Sequence, residues 1–493
     1  MRRRTLLSVV GGACVLAATL AFWPTADSPV TASPAVPSVA VEKPFVVHEW
    51  GTFTTFSGSN GVHLEFRPLL DQDLPGFVLN RATQSGYFNP FDKGRIVSRV
   101  RMETPVTYFY TDRERTIRAS VEFPQGMLTE FYPPVASQSP PFNSQLANGP
   151  GEPIGNAKLD WGEVHLIPET SLRPQVNDPQ TAEWLSKRFA LLALPGAAVW
   201  EGGGESQLAN HYYRARETDS ALVHVRRTAK PAKPDTQKPD PRSAVSRPPT
   251  GDFIEKFLFY RGVGKFEAPL VIEWNAKGAM TATNRTQSPL KSLILLDVRG
   301  ESVRSASVPD LAGGQSAPIP TELKDISIEE LRKQMTKHLV AAGLYDKEAV
   351  AMVNTWNDSW FQEQGQRCFY LVPQDLTNTV IPLKIEPAPD QMCRVMVGRL
   401  EIMSPTEEKR LMEVVQASAT ERARQYAERA KTESPEPVNP PIPQELVDLG
   451  RLAEPALVRV RQLAKEESVK NEASTLMYQL TQLFLEEEKT ASR

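Results

Sequence analysis

The pattern of apolar and polar positions changes character along this chain. Behind Arg2, Arg3 and Arg4 comes an apolar run from Leu6 to Trp23. Residues up to Glu42 are then rich in Pro, Ser, Val and Ala without any period. From Phe45 onward, short runs of β-branched and aromatic residues alternate with Gly, Pro, Asn and Asp clusters, the signature of strands and turns. The strands predicted this way cover residues 45–54, 106–110, 116–123, 128–132, 162–167, 197–201, 211–216, 221–225, 253–260, 270–274 and 290–298. Many short strands at such spacing point to antiparallel sandwiches rather than βαβ units.

After residue 316 the period shifts to that of helices. Ser327 and Glu330 form a capping box for a helix over 328–342, closed by Gly343. Asp346 caps a second helix, ended by Gly365, in which Val350, Val353, Trp356, Trp360 and Phe361 recur at helical spacing. The short connection predicts an antiparallel hairpin. Strand-like runs follow at 367–372 and 393–397. Ser404-Pro405-Thr406-Glu407 is a strong helix start, with an N-cap, proline first and Glu third. That helix opens with Leu411, Val414 and Val415 on one face and ends in a charged stretch over 421–433, read as a solvated face. Beyond the proline-rich break, residues 446–485 read as helical.

Basic residues followed by an apolar run are the layout of an export signal, so the chain is expected outside the cytoplasm, periplasmic or extracellular. Leu6 to Trp23 is also just long enough to stay as an uncleaved membrane anchor. Arg3-Arg4-Thr5-Leu6-Leu7 resembles a twin-arginine signal, with a plain secretory signal as the commoner alternative. Cys14 is a poor lipidation site, because Gly11 and Gly12 stand where an aliphatic residue is wanted.

The net charge is −3, and the three arginines and Asp27 among the first forty residues leave the rest at −5. A mildly acidic body has no global pull toward nucleic acid. Forty-two prolines against 28 glycines suit a β-rich body with long connections. Outside the leader stand two cysteines, Cys368 and Cys393, each in a strand-like run. In an oxidising compartment they read equally as a disulfide or as two buried thiols.

Candidate chemistry is sparse. His48, His63, His165, His211, His224 and His338 share no metal-ligand spacing, and no H-E-x-x-H, C-x-x-C, G-x-S-x-G or P-loop occurs. Gly202-Gly203-Gly204 lacks the following Lys and Ser/Thr and reads as a turn. Asp71-Gln72-Asp73 lacks the further oxygen ligands of a calcium loop and reads as a solvated acidic turn. His48, Glu163, His165 and His211 would form a carboxylate-plus-imidazole zinc site if their strands adjoin. The simpler reading gives each histidine its own local hydrogen bond, and no cofactor is favoured. Aromatics such as Trp50, Tyr108, Trp161 and Tyr212 are expected in the core.

The string His48-Glu49-Trp50-Gly51-Thr52-Phe53-Thr54 resembles that of a set of uncharacterised exported bacterial proteins carrying HEWGTFT near the mature N-terminus. Arg101-Met102-Glu103-Thr104-Pro105-Val106 and Lys256-Phe257-Leu258-Phe259-Tyr260-Arg261-Gly262 extend the resemblance, which implies no named activity. Residues 446–485, with a turn at Leu449-Gly450, resemble a HEAT-type helical repeat, a unit that normally needs neighbours to bury its faces.

The expected class is α+β: a β-sandwich-like antiparallel body, then an α-helical hairpin, a short β segment and a C-terminal HEAT-like helical region. The expected segments are 1–42 (signal and tether), 43–315 (β-rich body with insertions at 133–153 and 229–250), 316–432 (hairpin, strands, long helix), 433–443 (linker) and 444–493 (helical tail). The leading functional expectation is a non-enzymatic cell-envelope protein that binds a protein or a cell-wall polymer. An exported metal-dependent hydrolase and a scaffold anchored through residues 6–23 are the alternatives.

Overall fold

In a computed structural model of the chain, the described residues are 43–67, 74, 78–80, 96–140, 155–168, 211–228, 250–320, 322–432 and 440–491. The leader and tether, the strand expected at 197–201, Gly202 to Gly204, Asp71 to Asp73 and most of both insertions lie outside them.

Strand β1 (Val46–Ser57) is buried along its whole length. Apolar side chains and the paired His48, Glu49 and Thr54 suit burial on both faces, while the hydroxyls of Thr52, Thr55 and Ser57 are buried without a hydrogen-bond partner. Val47 and Phe53 enter one core, and Trp50 enters a second on the opposite face. Around it lie β2 (Val100–Tyr110), β3 (Arg115–Phe123), β4 (Gly126–Tyr132), β5 (Ala157–Ile167), β6 (Leu222–Arg227), β7 (Gly251–Glu255) and β8 (Leu258–Gly264). Later come β9 (Lys291–Arg299), β10 (Ser302–Val308), β11 (Gly365–Val372) and β12 (Gln391–Ile402).

Among the described residues the largest sheet has ten strands, with β10-β9-β11-β12-β1-β2-β8-β4 flanked by Lys324–Asp325 and Leu79–Asn80. A six-stranded sheet holds Leu383–Glu386, β3, β5, β6 and β7, with Ser137–Ser139 on β5. A three-stranded sheet holds Leu270–Trp274, Met280–Asn284 and Ser316–Pro318. One face of the large sheet shares a core with both smaller sheets, through residues such as Met396, Trp161 and Ile272. The other face is covered by helices α1 (Ile328–Ala341) and α2 (Asp346–Phe361), with Leu339, Met352, Trp356 and Trp360 against Trp50, Leu296 and Val397. Each of these buried apolar side chains contributes on the order of 1.5–3 kcal/mol.

The α+β class holds. The antiparallel expectation needs one correction, because β1 and β12 run parallel, in register from Val46↔Gln391 to Ser57↔Ile402. Two strands from the segment after residue 316 therefore lie at the middle of a sheet that β1 also occupies. Residues Lys43–Arg493 form one compact unit.

Three local readings also change. Residues 211–216 form a 3-10 turn, His211–Arg216, rather than a strand. Tyr212 and Ala215, three apart, are its buried residues, and a three-residue period suits that spacing. The run 253–260 splits, because the chain leaves the six-stranded sheet after Glu255 and joins the large sheet at Leu258. Asp346 is the first helical residue of α2 and not its cap; the Glu348 carboxylate accepts from the Tyr345 amide instead, at 2.8 Å.

The capping signals otherwise mark real helix starts. Ser327 and Glu330 make the reciprocal box of α1. Ser404 and Glu407 do the same for α3 (Pro405–Thr432). Gly450 turns the chain with φ +51 ahead of α4 (Ala453–Leu463) and α5 (Glu467–Ala491). Leu411 and Val415 of α3 share a core with Leu457, Val460 and Leu476 of these two helices. No described helix is long and apolar enough to cross a membrane.

Candidate binding cleft

The helix-facing side of the large sheet carries a row of buried charges. Register brings Arg367 opposite Glu401, Arg399 opposite Thr54, and Thr54 opposite Arg101. Arg367, Arg399, Arg101, Glu103 and Glu401 are all buried. Charges so placed survive only when paired and hydrogen-bonded. Arg399 Nε donates to Glu401 Oε1, and Arg399 Nη2 donates to Glu363 Oε2 at 2.6 Å. Arg101 Nε stands 2.9 Å from Glu103 Oε1, and Thr54 Oγ1 donates to Glu103 Oε2 at 2.7 Å. Arg367 adds a second duty: it donates to the carbonyls of Trp360, Glu363 and Gln364 at 2.8–3.0 Å, at the C-terminal end of α2. Helix ends leave such carbonyls without partners, and a guanidinium there is favoured by the helix dipole as well.

Burial by itself would raise the Glu363 carboxyl, but Arg399 and Arg451 overcome it and hold the group down at about 2. Arg451, in the turn before α4, reaches Glu363 at 2.7 Å and Glu103 at 3.3 Å. The C-terminal helices are thus tied into the charged row. A second tie joins Arg459 of α4 to Glu408 of α3 at 2.7 Å, and Glu408 also accepts from the Ser59 amide.

Where the ends of β11 and β12 face these helices, a cleft of about 270 Å³ opens. Its apolar wall includes Phe56, Met403, Leu449 and Leu452. Its polar groups include Gln366, Glu401, Arg410, Glu445 and Asp448. Gln366 is 7 % exposed, and its Oε1 has no hydrogen-bond partner. Glu401 is already committed to Arg367 and Arg399. A concave, largely apolar site with a few directed polar groups is the usual form of a small ligand site. A larger groove of about 990 Å³ runs along α1 and α2, where Lys333 pairs with Glu329, and Arg332 with Asn354 and Asn357.

The residues singled out in the sequence lie elsewhere and apart. His48, on β1, sits beneath the α1–α2 connection; its Nδ1 lies 2.7 Å from Glu348 Oε2, and Tyr345 and Tyr110 pack on its ring at 4.5 and 5.5 Å. Burial, and then Glu348, push the Tyr110 phenol well up. Glu163 and His165 are on β5, in the six-stranded sheet. Glu163 is exposed, and His165 hydrogen-bonds Glu114 at 2.9 Å and Thr116 at 3.3 Å. His211 stacks by Tyr212 and Trp356 in the 3-10 turn. The structure does not bring the four together, and among the described residues no three His, Cys, Asp or Glu side chains are grouped to hold a metal.

Cys368 and Cys393 are free thiols, so the disulfide reading gives way to its alternative. Cys368 pairs with Leu400 of β12, whereas Cys393 is itself on β12 opposite His48. Roughly 23 Å of strand separates the two sites, far beyond the reach of a bridge.

The HEWGTFT string is consumed by structure. His48 binds Glu348, and Trp50 and Phe53 fill opposite cores. Glu49 is fully buried and accepts from Arg394 Nε at 2.7 Å, Tyr260 Oη at 2.6 Å and Thr107 Oγ1 at 3.1 Å. A Cβ on Gly51 would stand 3.0 Å from Met396 Sδ and from the Pro105 backbone, so only glycine fits without a shift.

The charged row escaped sequence reasoning, although a signal for it exists. Arg101-Met102-Glu103 and Arg399-Leu400-Glu401 put opposite charges at i and i+2, on one face of an otherwise apolar strand.

No family model matches the chain, and no curated protein matches it. Among solved structures, one similar chain is an Fcho1 Mu homology domain from Danio rerio with a bound Eps15 peptide. The identity is 7 %, with 74 % of this chain and 96 % of that chain covered, and the TM-score is 0.23. A likeness at that level carries no argument about fold or function.

Proposed function

We propose that this is an exported, non-enzymatic cell-envelope protein whose binding face is the cleft between the large sheet and the C-terminal helices. The observation that carries the reading is the cleft itself, about 270 Å³ with an apolar wall of Phe56, Met403, Leu449 and Leu452 and a polar edge that includes Glu445 and Asp448. The cleft is bounded by elements that Arg451 and Arg459 lock together, which suits a preformed site that binds without rearrangement. Export rests on the basic and apolar leader. Of the two partner classes the sequence suggests, a cell-wall polymer suits a narrow cleft better than a protein, whose standard interface needs about 800 Å² per side.

The test is co-sedimentation of the purified chain with isolated cell-wall polymer, beside cell fractionation. Binding that is lost in Leu452→Trp, which fills the cleft, is the expected result. No binding, or binding indifferent to Leu452→Trp, overturns the reading. Recovery of the protein only in the cytoplasmic fraction overturns the export half.

A further inference from the structure

We propose that the groove between α1 and α2 docks one helix of a partner protein, a helix with an apolar stripe flanked by carboxylates. The groove shares no residue with the cleft, so this inference stands apart from the polymer reading. Each helix of the hairpin presents two stripes. One enters the core against the large sheet, through residues such as Leu339 and Trp356. The other lines the groove, at positions 329, 333, 336, 337 and 340 of α1 and 346, 350, 353, 354 and 357 of α2. Both sets recur at i, i+4, i+7, i+8 and i+11, which is one continuous helix face. Two neighbouring helices that turn such faces to the same side leave a seat for a third, as in helical bundles. With 14 residues in α1 and 16 in α2, the seat is about 21–24 Å long, room for about four helical turns. Val340 and Val350, on either side of the turn, are 36 % and 44 % exposed, so the apolar end of the seat is uncovered.

The charges select the occupant. Arg332 reaches from α1 to α2 and donates to Asn354 Oδ1 at 2.5 Å and to Asn357 Oδ1 at 3.1 Å. Both acceptors are neutral amides. Neither Arg332 nor the exposed Lys337 forms an ion pair among the described residues. Lys333 is matched by Glu329 at 2.7 Å. Asp346 is the other carboxylate that lines the groove, so three cations against two carboxylates leave one positive charge over. A helix with acidic flanks answers that charge while its apolar stripe covers Val340 and Val350. A second copy of the hairpin brings the same cations and is repelled face to face. A hydrophilic polymer leaves the two valines wet. Arg332 and Val340 stand eight residues apart on α1, about 12 Å along the axis, which spaces the partner's carboxylate and its apolar anchor about two turns apart.

The experiment is fluorescence anisotropy of the purified chain with two labelled helical peptides of about four turns. The peptides share one leucine stripe; one carries glutamate on its flanks and the other lysine. The glutamate peptide is expected to saturate one site and to bind at least about tenfold tighter than the lysine peptide, with the difference shrinking as salt rises. Lys337→Glu is expected to weaken the glutamate peptide and to strengthen the lysine peptide, a reciprocal change that misfolding does not produce. Val350→Asp is expected to abolish binding of the glutamate peptide with the melting temperature unchanged. No saturation by the glutamate peptide, equal affinity for the two peptides, or indifference to both substitutions overturns the proposal. Self-association of the chain that Val350→Asp abolishes also overturns it, because the occupant is then a second copy. A benzophenone probe at Val350 that joins to another segment of the same chain overturns it as well.

Discussion

Arg451 and Glu363 meet at 2.7 Å, although one precedes the C-terminal helices and the other follows α2. The contact fastens two regions far apart in sequence, and the same guanidinium reaches Glu103 at 3.3 Å. Arg451→Met leaves Glu103 and Glu363 with one cation fewer and is expected to cost about 2–3 kcal/mol in chemical denaturation. The Glu363 carboxyl is depressed to about 2, below an unfolded value of about 4.3. Its contribution is therefore present above the unfolded value and is lost as pH falls through that window toward 2. Melting curves between those limits should show the loss in the wild type and a smaller one in Arg451→Met.

The pair Glu49–Arg394 offers a cleaner cycle, since both side chains are almost wholly buried. Glu49→Leu strands a buried guanidinium and is expected to cost about 3–5 kcal/mol. Glu49→Leu with Arg394→Met removes both charges and should recover most of that loss. A double variant no more stable than Glu49→Leu would show that the remaining partners, Tyr260 and Thr107, carry the interaction.

Gly51→Ala tests the tightest point of the HEWGTFT strand. The added methyl meets Pro105 backbone and Met396 sulfur at 3.0 Å, and neither lies in open space. A cost of about 1–3 kcal/mol is expected, and the further cost of Gly51→Ala should be smaller when measured against a Met396→Ala background.

Thiol chemistry separates the two cysteines. Burial pushes the Cys368 thiol up to about 12; burial and then Glu348 push Cys393 up to about 11. Neither should react with iodoacetamide in the native protein near neutral pH, because the thiolate is the nucleophile. Raising the pH should label Cys393 first, since Cys368 has no exposure. Mass spectrometry of the denatured chain should find both thiols free.

Local order was legible in the sequence, and long-range order was not. Val47, Trp50 and Phe53 announce a strand, and Ser327/Glu330 and Ser404/Glu407 announce helix starts, because those signals act over a few residues. The strand predicted at 211–216 rests on aromatic content alone; the buried pair Tyr212 and Ala215, three apart, packs as a turn, with Tyr212 against Trp356. The pairing of Val46 with Gln391 leaves no trace in either local pattern. The cleft was invisible for the same reason, since Gln366, Arg410 and Asp448 come from three separate elements. Nor does anything local to Glu363 announce that it enters a buried network with Arg399 and Arg451.

The parallel contact between β1 and β12 also has a cost in time. On a ribosome the segment Val46–Ser57 appears early, and its neighbour at Gln391–Ile402 follows some 345 residues later. At 5–20 residues per second, that is an interval of roughly 20–70 s. Throughout it, one long apolar edge of the nascent chain has no native neighbour and is adhesive to other chains. Safe production of this protein therefore depends on whatever shields that edge until the last strand arrives.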